Sequence, residues 1–290
     1  MERARAFATV AAAYGAALLV AVSVGMAVPT DDPVWVVVWA DLAATLVIFG
    51  CSVAWNNSSF YDAYWSVVPP VIGLYWATSS QADEADGLRR LVVLLLVSAW
   101  GARLTWNWAR GWGGLRHEDW RYVDLRRSTG RAYWGVSFVG LHLFPTVMVL
   151  LGCLPLFASL VTGREPFGIL DLVATLVTGL AIACEAVADL QLREFARSKP
   201  GPGEILNRGL WRYSRHPNYF GEMTFWWGLW LFAVAADPGA WWTAIGPAAI
   251  TAMFFAASLP MIEKRMGERR PGWAEHARRT PLVVPWMPKG

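Results

Sequence analysis

Eight long apolar runs alternate with polar stretches along this chain of 290 residues. A helix of about twenty apolar residues is long enough to cross a hydrocarbon layer roughly 30 Å thick, and several of the runs reach that length. The pattern therefore predicts an all-α fold, a polytopic membrane helix bundle of about eight transmembrane helices. The runs lie at about 6–28, 34–55, 61–78, 90–109, 133–160, 168–191, 220–236 and 241–261.

Short polar breaks that contain turn-forming residues separate many of the runs. Four such breaks are Pro29–Pro33, Ser79–Gly87, Gly163–Pro166 and Asp237–Gly239. The run at 220–236 is the shortest of the eight, so the bundle has seven transmembrane helices if this segment only dips into the bilayer.

Composition supports a membrane protein, because 56% of the residues are hydrophobic and only 16% are charged, below the quarter that is typical of soluble domains. The net charge of +3 is too small for the basic face that a nucleic-acid-binding protein presents. Cys51, Cys153 and Cys184 all lie in apolar runs without metal-like spacing, so we expect neither a disulfide framework nor a metal site.

Positive charge is distributed unevenly between the polar stretches. Arginine and lysine concentrate before the first run, in 110–131, in 193–215 and after Glu263, whereas the alternate loops are mostly acidic. Basic loops remain on the cytoplasmic side, so we expect both termini in the cytoplasm. The first run resembles a cleavable signal at Gly25–Ala27, but it is longer than a usual signal core, and we favour a retained helix.

Six ionisable side chains lie inside the runs or at their ends. Such groups cost several kcal/mol if they face lipid, so we expect them to pair or to line a cavity. These residues also have structural interpretations. His142 is interpreted as a packing histidine bonded to a neighbouring backbone or hydroxyl group, and Arg103 as a snorkelling side chain or half of an ion pair. Asp41, which is not one of the six, is interpreted as an interfacial residue. The six are Asp62, Arg103, His142, Glu185, Asp189 and Glu222.

Glu185, Asp189 and Arg193 follow one another at intervals of four residues, so they stack on one face of the sixth predicted helix. An ion pair within the helix is enough to explain the presence of Asp189 and Arg193. Three such groups at the cytoplasmic end of the helix also predict a polar pocket there, beside the later helices.

The segment Gly209–Glu222 reads GLWRYSRHPNYFGE and is both cationic and aromatic. Pro217 disfavours helix at His216, so the chain turns there and a new helix starts after it. The amides of a helix N-terminus, together with Arg212 and Arg215, suit a phosphate or pyrophosphate group. The chain has neither a GxGxxG after a strand nor a P-loop, so a nucleotide would be held in another manner.

This segment, preceded by ADLQLREFARSKPGPGE and followed by RRTPLVVPW, resembles the C-terminal region of the steroid 5-alpha-reductase superfamily. More closely, the chain resembles the bacterial membrane proteins of the DUF1295 family, and the earlier stretch LVSAWGARLTWNWARGWGGLRHEDWRYVDLR is also similar to that family. The likeness covers roughly residues 55 to 288, and it implies a protein of the bacterial inner membrane. Sterol reductases and isoprenylcysteine carboxyl methyltransferases carry relatives of the RHPNY core, but the upstream aspartate and the glutamate after NYFG favour the reductases. The resemblance implies a single membrane domain over 1–290, with variable N-terminal helices at 1–56, a reductase-like region at 57–290 and a cofactor-binding part at 180–290.

The resemblance implies an NADPH-dependent oxidoreductase acting on CH–CH groups, like a 3-oxo-5-alpha-steroid 4-dehydrogenase. Such an enzyme reduces a carbon–carbon double bond conjugated to a carbonyl in a steroid-like or other lipid. Asp189 and Arg193 match cofactor-binding positions, and Asn218 and Glu222 match positions near the nicotinamide. The cofactor-binding residues that it implies are Glu185, Asp189, Arg193, Arg212, Tyr213, Arg215, His216, Asn218, Tyr219, Glu222 and Arg265.

The substrate end departs from the family pattern. The family places a glutamate seven residues before a proline, where this chain has Asp62, and a tyrosine three residues before the arginine that matches Arg103, where this chain has Trp100. We expect Asp62, with Tyr61 or Tyr64, to hold the substrate carbonyl, because negative charge on its oxygen needs a hydrogen-bond donor. The implied pocket residues are Trp65, Trp100, Arg103 and Trp106.

Two other functions remain open at this point. One is an S-adenosylmethionine-dependent methyltransferase of a lipid or prenylated end, supported only by the stretch from Arg212 to Tyr219. The other is a non-catalytic lipid-binding or assembly protein, which the departure at Trp100 leaves open. The oligomeric state does not follow from the sequence.

Overall fold

The computed structural model describes residues 2–82, 84–201 and 203–288, and these residues form helices and connecting turns without a β-strand. The predicted all-helical class is therefore confirmed. The α-helices are α1 (Glu2–Ala27), α2 (Pro33–Ala54), α3 (Tyr64–Ala77), α4 (Gly87–Gly111), α5 (Trp120–Thr129), α6 (Tyr133–Ser137), α7 (Phe144–Phe157), α8 (Ile169–Arg197), α9 (Pro217–Ala236), α10 (Ile245–Met253), α11 (Leu259–Arg269) and α12 (Trp273–Arg279).

Five helical stretches in the described part of the chain are long and apolar enough to cross a membrane. Helix α3 has 14 residues, which span about 21 Å at the α-helical rise, less than the roughly 30 Å of a hydrocarbon core. The predicted count of seven or eight spans and the predicted orientation therefore stay predictions. The five stretches are Glu2–Ala27, Pro33–Ala54, Trp120–Thr162, Ile169–Arg197 and Pro238–Arg269.

The basic stretch 110–131, predicted as a loop, contains the short helix α5. Asp119 caps this helix, because its carboxylate accepts a hydrogen bond from the backbone N–H of Arg121 at 2.9 Å. An aspartate followed by residues with acceptable helix propensity is enough to start a polar helix of 10 residues.

The chain divides into two compact units, Met1–Asp83 with Val97–Cys153, and Glu84–Leu96 with Leu154–Gly290. The single membrane domain expected from the sequence stays a prediction. In the first unit, α1 packs along α2, and buried hydroxyl groups link α2 to the later helices. The hydroxyl of Thr146 lies 2.9 Å from that of Thr45 and 2.7 Å from that of Tyr61.

His142 is fully buried in the first unit, in a π-helical turn at Phe138–Leu143. Its Nε2 lies 3.0 Å from the hydroxyl of Ser52, and its Nδ1 lies 3.0 Å from the carbonyl oxygen of Ser137. The interpretation of His142 as a packing histidine bonded to a hydroxyl and a backbone group is confirmed.

In the second unit, the start of α8 is fixed by a buried ion pair. The guanidinium of Arg89 binds both carboxylate oxygens of Asp171, at 2.6 and 2.8 Å, and also donates to the carbonyl oxygen of Glu165 at 2.8 Å. Asp171 accepts a further bond from the backbone N–H of Gly168 at 2.9 Å. Both charges are thereby hydrogen-bonded, as an ion pair in an apolar interior requires.

Candidate functional site

Helices α8 and α9 approach closely in the second unit because two glycines of α9 face α8. A Cβ atom at Gly221 would overlap Cγ of Glu185 and lie 2.9 Å from the carbonyl oxygen of Ala181. A Cβ atom at Gly228, two turns further along, would overlap the hydroxyl of Thr178. Small residues of this kind let helix backbones come together in membrane proteins. The glycines therefore fix α8 and its carboxylates against α9.

Two carboxylates are buried at this contact. Glu185 of α8 is 2% exposed and lies against Gly221, and the next residue of α9, Glu222, is 4% exposed. The indole N–H of Trp226 donates to Oε1 of Glu222 at 2.8 Å. Burying a carboxylate is costly, and sites with buried carboxylates are candidates for function.

Asp189 and Asn218 meet beside these carboxylates. The side-chain amide of Asn218 donates to Oδ1 of Asp189 at 3.4 Å, and both residues are half-buried. Asp189 lies one turn beyond Glu185 on α8, and Asn218 lies one turn before Glu222 on α9. The structure thus brings together an aspartate, an asparagine and two glutamates that the sequence predicts as one group.

The start of α9 is as the sequence predicts. Pro217 is its first residue, and His216 before it has an extended φ of −140°. Asn218 and Glu222 follow four residues apart in the first turns, so they lie on one face of α9.

Arg215 and His216 are engaged by a residue that the sequence did not indicate. Glu263 of α11 forms an ion pair with the guanidinium of Arg215 and accepts a hydrogen bond from Nε2 of His216 at 2.7 Å. The indole N–H of Trp273 also points to Glu263, at 3.3 Å. Both basic residues therefore fix the turn before α9. Glu263 stands at the end of an apolar run, which is the signal that identified the other buried acids.

The C-terminal tail is bound along the same turn. The backbone N–H of Arg215 donates to the carbonyl oxygen of Pro281 at 2.9 Å. The hydroxyl of Ser214 donates to the carbonyl oxygen of Val283 at 2.6 Å. The backbone N–H of Trp286 donates to the carbonyl oxygen of Tyr213 at 3.0 Å. Burial lowers the pKa of His276 in the preceding helix α12, and the nearby Arg215 lowers it further.

The remaining predicted cofactor residues differ in exposure. Arg212 and Tyr213 are exposed, and the guanidinium of Arg212 lies 6.0 Å from the ring centre of Tyr213. Tyr219 is half-buried and stacks on His216 with 5.6 Å between ring centres. Arg193 and Arg265 are also half-buried. These residues all belong to the second unit.

The predicted substrate residues belong to the first unit, where the tyrosines do not pair as expected. The hydroxyl of Tyr61 bonds Thr146, and that of Tyr64 donates to the carboxylate of Asp41 at 2.7 Å. Asp62 instead accepts a hydrogen bond from the hydroxyl of Tyr122 at 2.5 Å. Tyr122 comes from α5, the helix in the predicted loop, so nothing in the spacing around Asp62 indicated it.

The predicted pocket tryptophans also have different surroundings. Trp100 is fully buried and meets Trp65 edge to face, with 5.8 Å between ring centres. Trp106 is 61% exposed, as expected of a tryptophan that anchors a helix at a membrane interface. Arg103 is half-buried. Within the described ranges, no three histidine, cysteine or acidic residues lie close enough to hold a metal ion.

Comparison with known proteins gives one family and one relative. The family DUF1295, described as a protein of unknown function, matches residues 48–280. An uncharacterized protein of Schizosaccharomyces pombe is 28% identical over 247 residues, covering 78% of this chain and 72% of that protein. No solved structure matches the chain. Because the family match extends over most of the sequence, from the end of α2 to the last helix, the chain belongs to the DUF1295 family.

Proposed function

We propose that this protein is an NADPH-dependent membrane reductase of a carbon–carbon double bond conjugated to a carbonyl in a lipid. The observation that carries the proposal is the convergence of Asp189 with Asn218, beside the buried carboxylates Glu185 and Glu222. This set combines acceptors and an amide donor, which suits the hydroxyl and carboxamide groups of a dinucleotide. The resemblance of the segment Gly209–Glu222 to the steroid 5-alpha-reductase superfamily supports the same function.

The donor set of the second unit fits NADPH. Asp189 and Asn218 would hold polar groups of the nucleotide, and the exposed Arg212 would contact a phosphate. Arg215 and His216 would act indirectly, because Glu263 already engages them. When bound, NADPH would supply a hydride for the β-carbon of the substrate.

In the first unit, Asp62 and Tyr122 would serve the carbonyl of the substrate. Their short hydrogen bond holds a tyrosine hydroxyl and a carboxyl group together, and either one can be oriented by the other to donate to a developing oxyanion. Tyr122 thus takes the place that Tyr61 and Tyr64 have in the prediction from sequence. A proton from water at the α-carbon completes the reduction.

The test is ligand-dependent thermal stability of the purified protein in detergent, measured with NADPH and with S-adenosylmethionine. We expect NADPH to raise the melting temperature. We expect Asn218→Ala to weaken its binding roughly tenfold, the equivalent of about 1.4 kcal/mol. Asn207→Ala is the matched control, because Asn207 is exposed in a connecting loop of the same unit. Stabilisation by S-adenosylmethionine and not by NADPH would select the methyltransferase instead.

Catalysis is tested separately, by following NADPH absorbance with a panel of enone lipids. Oxidation of NADPH that depends on the lipid supports the reductase. Tight NADPH binding without oxidation across the panel would contradict it and indicate a non-catalytic lipid-binding protein.

A further inference from the structure

The first unit contains a cleft of about 520 Å³ whose walls are α1, α2 and α3. This volume lies within the roughly 300–1,000 Å³ that is usual for small-molecule sites. Along α3 the cleft extends from Tyr64 to Tyr75, a distance of about 16 Å at the helical rise of 1.5 Å per residue. The cleft therefore has the volume and length that suit a single lipid molecule.

The floor of the cleft is closed and its rim is open. Ala17 and Val37 of the lining are buried, whereas Leu18 is 49% exposed and Met26 is 84% exposed. All four residues lie on helices long and apolar enough to cross a membrane. An apolar ligand would enter this cleft sideways, from the surrounding hydrocarbon.

One polar pair interrupts the apolar lining. Asp41 is 6% exposed, and its Oδ1 accepts the hydrogen bond from the hydroxyl of Tyr64 at 2.7 Å. Its Oδ2 has no hydrogen-bond partner among the residues that the structure describes. A carboxyl group in an apolar interior is costly unless all of its capacity for hydrogen bonds is used. Asp41 therefore has hydrogen-bonding capacity that its packing inside the protein does not use.

We propose that this cleft binds a lipid alcohol, with its apolar body along α3 and its hydroxyl on Asp41. A hydroxyl group both donates and accepts, so it complements the carboxyl group in either protonation state. An anionic headgroup would be repelled by the carboxylate, and a cationic one would have to be carried deep into the hydrocarbon layer. The alcohol is thus the headgroup that meets the cleft at the lowest cost.

This binding site is separate from the cofactor residues and does not rest on the reductase chemistry. Helix α1 and the cleft-lining part of α2, including Asp41, precede residue 48, where the match to the DUF1295 family begins. The cleft is therefore a feature that the chain builds largely from segments outside the family match.

The chain offers a matched pair of variants for testing the cleft. Gly15 lines it, and a Cβ atom there would meet nothing within 4 Å, so Gly15→Leu fills the cleft without a clash at the helix. Gly50 is also on a helix of the first unit with nothing within 4 Å, but it does not line the cleft. Gly50→Leu is the control for the general effect of the substitution.

The experiment is photolabelling of the whole protein in nanodiscs with a diazirine derivative of tetradecanol and with the methyl ether of the same probe. We expect the alcohol to label α1 to α3 at least fivefold more than the ether does. We expect Gly15→Leu to reduce this labelling at least fivefold and Gly50→Leu to leave it unchanged. Asp41→Leu should remove the difference between the two probes.

Equal labelling by the alcohol and the ether would overturn the proposal, because bulk lipid at a helix surface does not distinguish them. Unchanged labelling of a folded Gly15→Leu variant would overturn it as well. If that variant does not fold, competition on the unaltered protein decides: unlabelled tetradecanol must displace the probe, and its methyl ether must not.

Discussion

Replacing Gly221 by alanine should destabilise the second unit and displace a predicted cofactor residue. The added Cβ atom would overlap the side chain of Glu185 and lie 2.9 Å from the backbone oxygen of Ala181 and 3.1 Å from the backbone nitrogen of Glu185. Overpacking typically costs about 1–3 kcal/mol, and the upper part of this range applies because backbone atoms cannot rotate away. Alanine regains about 1 kcal/mol of helix propensity, which leaves a net loss of about 2 kcal/mol.

Gly179→Ala is the matched control, because a Cβ atom on that residue of α8 would meet nothing within 4 Å. It should stabilise the helix by about 0.5–1 kcal/mol, so the two variants should differ by about 3 kcal/mol, roughly a hundredfold in the folding equilibrium. Reversible unfolding in mixed micelles, followed by circular dichroism, measures this difference. If Gly221→Ala proved as stable as Gly179→Ala, the close approach of α8 and α9 would be refuted.

Three further predictions address the reaction, a buried ion pair and a helix cap. Tyr122→Phe should lower the rate of enone reduction about ten- to a hundredfold without affecting NADPH binding. The reason is that a hydrogen bond to a charged group contributes about 1.5–3 kcal/mol. Unchanged turnover would exclude Tyr122 from the carbonyl site. Asp171→Asn and Arg89→Met should each cost about 3–5 kcal/mol of unfolding free energy, and a double-mutant cycle should show that the two losses are not additive. Hydrogen bonds from the backbone N–H groups of Arg89 and Phe167 lower the pKa of Asp86 from 3.8. The contribution of Asp86 to the free energy of unfolding is therefore complete above pH 3.8, and it is lost as the pH falls through the lower pKa of the folded protein. Asp86→Asn should therefore flatten the acid limb of the stability profile, and an unchanged limb would show that another group is responsible.

The hydrophobic pattern placed the long apolar helices, because runs of apolar residues admit helices and little else in a membrane. Two prolines mark helix starts, since α2 begins at Pro33 and α9 at Pro217, whereas Pro69, Pro70 and Pro155 lie inside helices. The polar helix α5 was missed because its residues have no apolar period, and only the capping aspartate marks its start. The pattern alone did not give the number of spans, because the shorter helices are too short or too polar to be identified as spans.

The candidate site was predictable where its residues are close in sequence and less so where they are distant. Asp189 and Asn218 were expected as neighbours, since one ends an apolar run and the other starts the next helix. The partner of Asp62 was not, because Tyr122 is 60 residues away and no period connects them. Glu263 was missed although it follows the run at 241–261, because its partners Arg215 and His216 are 48 and 47 residues away in the sequence.

The bonds between the tail and the segment 213–215 give the protein an order of assembly. Pro281, Val283 and Trp286 are synthesised about seventy residues after the groups of Tyr213, Ser214 and Arg215 that they bind. Helices of a nascent chain can form as they emerge, but this turn lacks these partners until residues 281–286 have been made. A chain that stops before Pro281 would thus contain all of the helices α1 to α12 but an unfinished turn before α9.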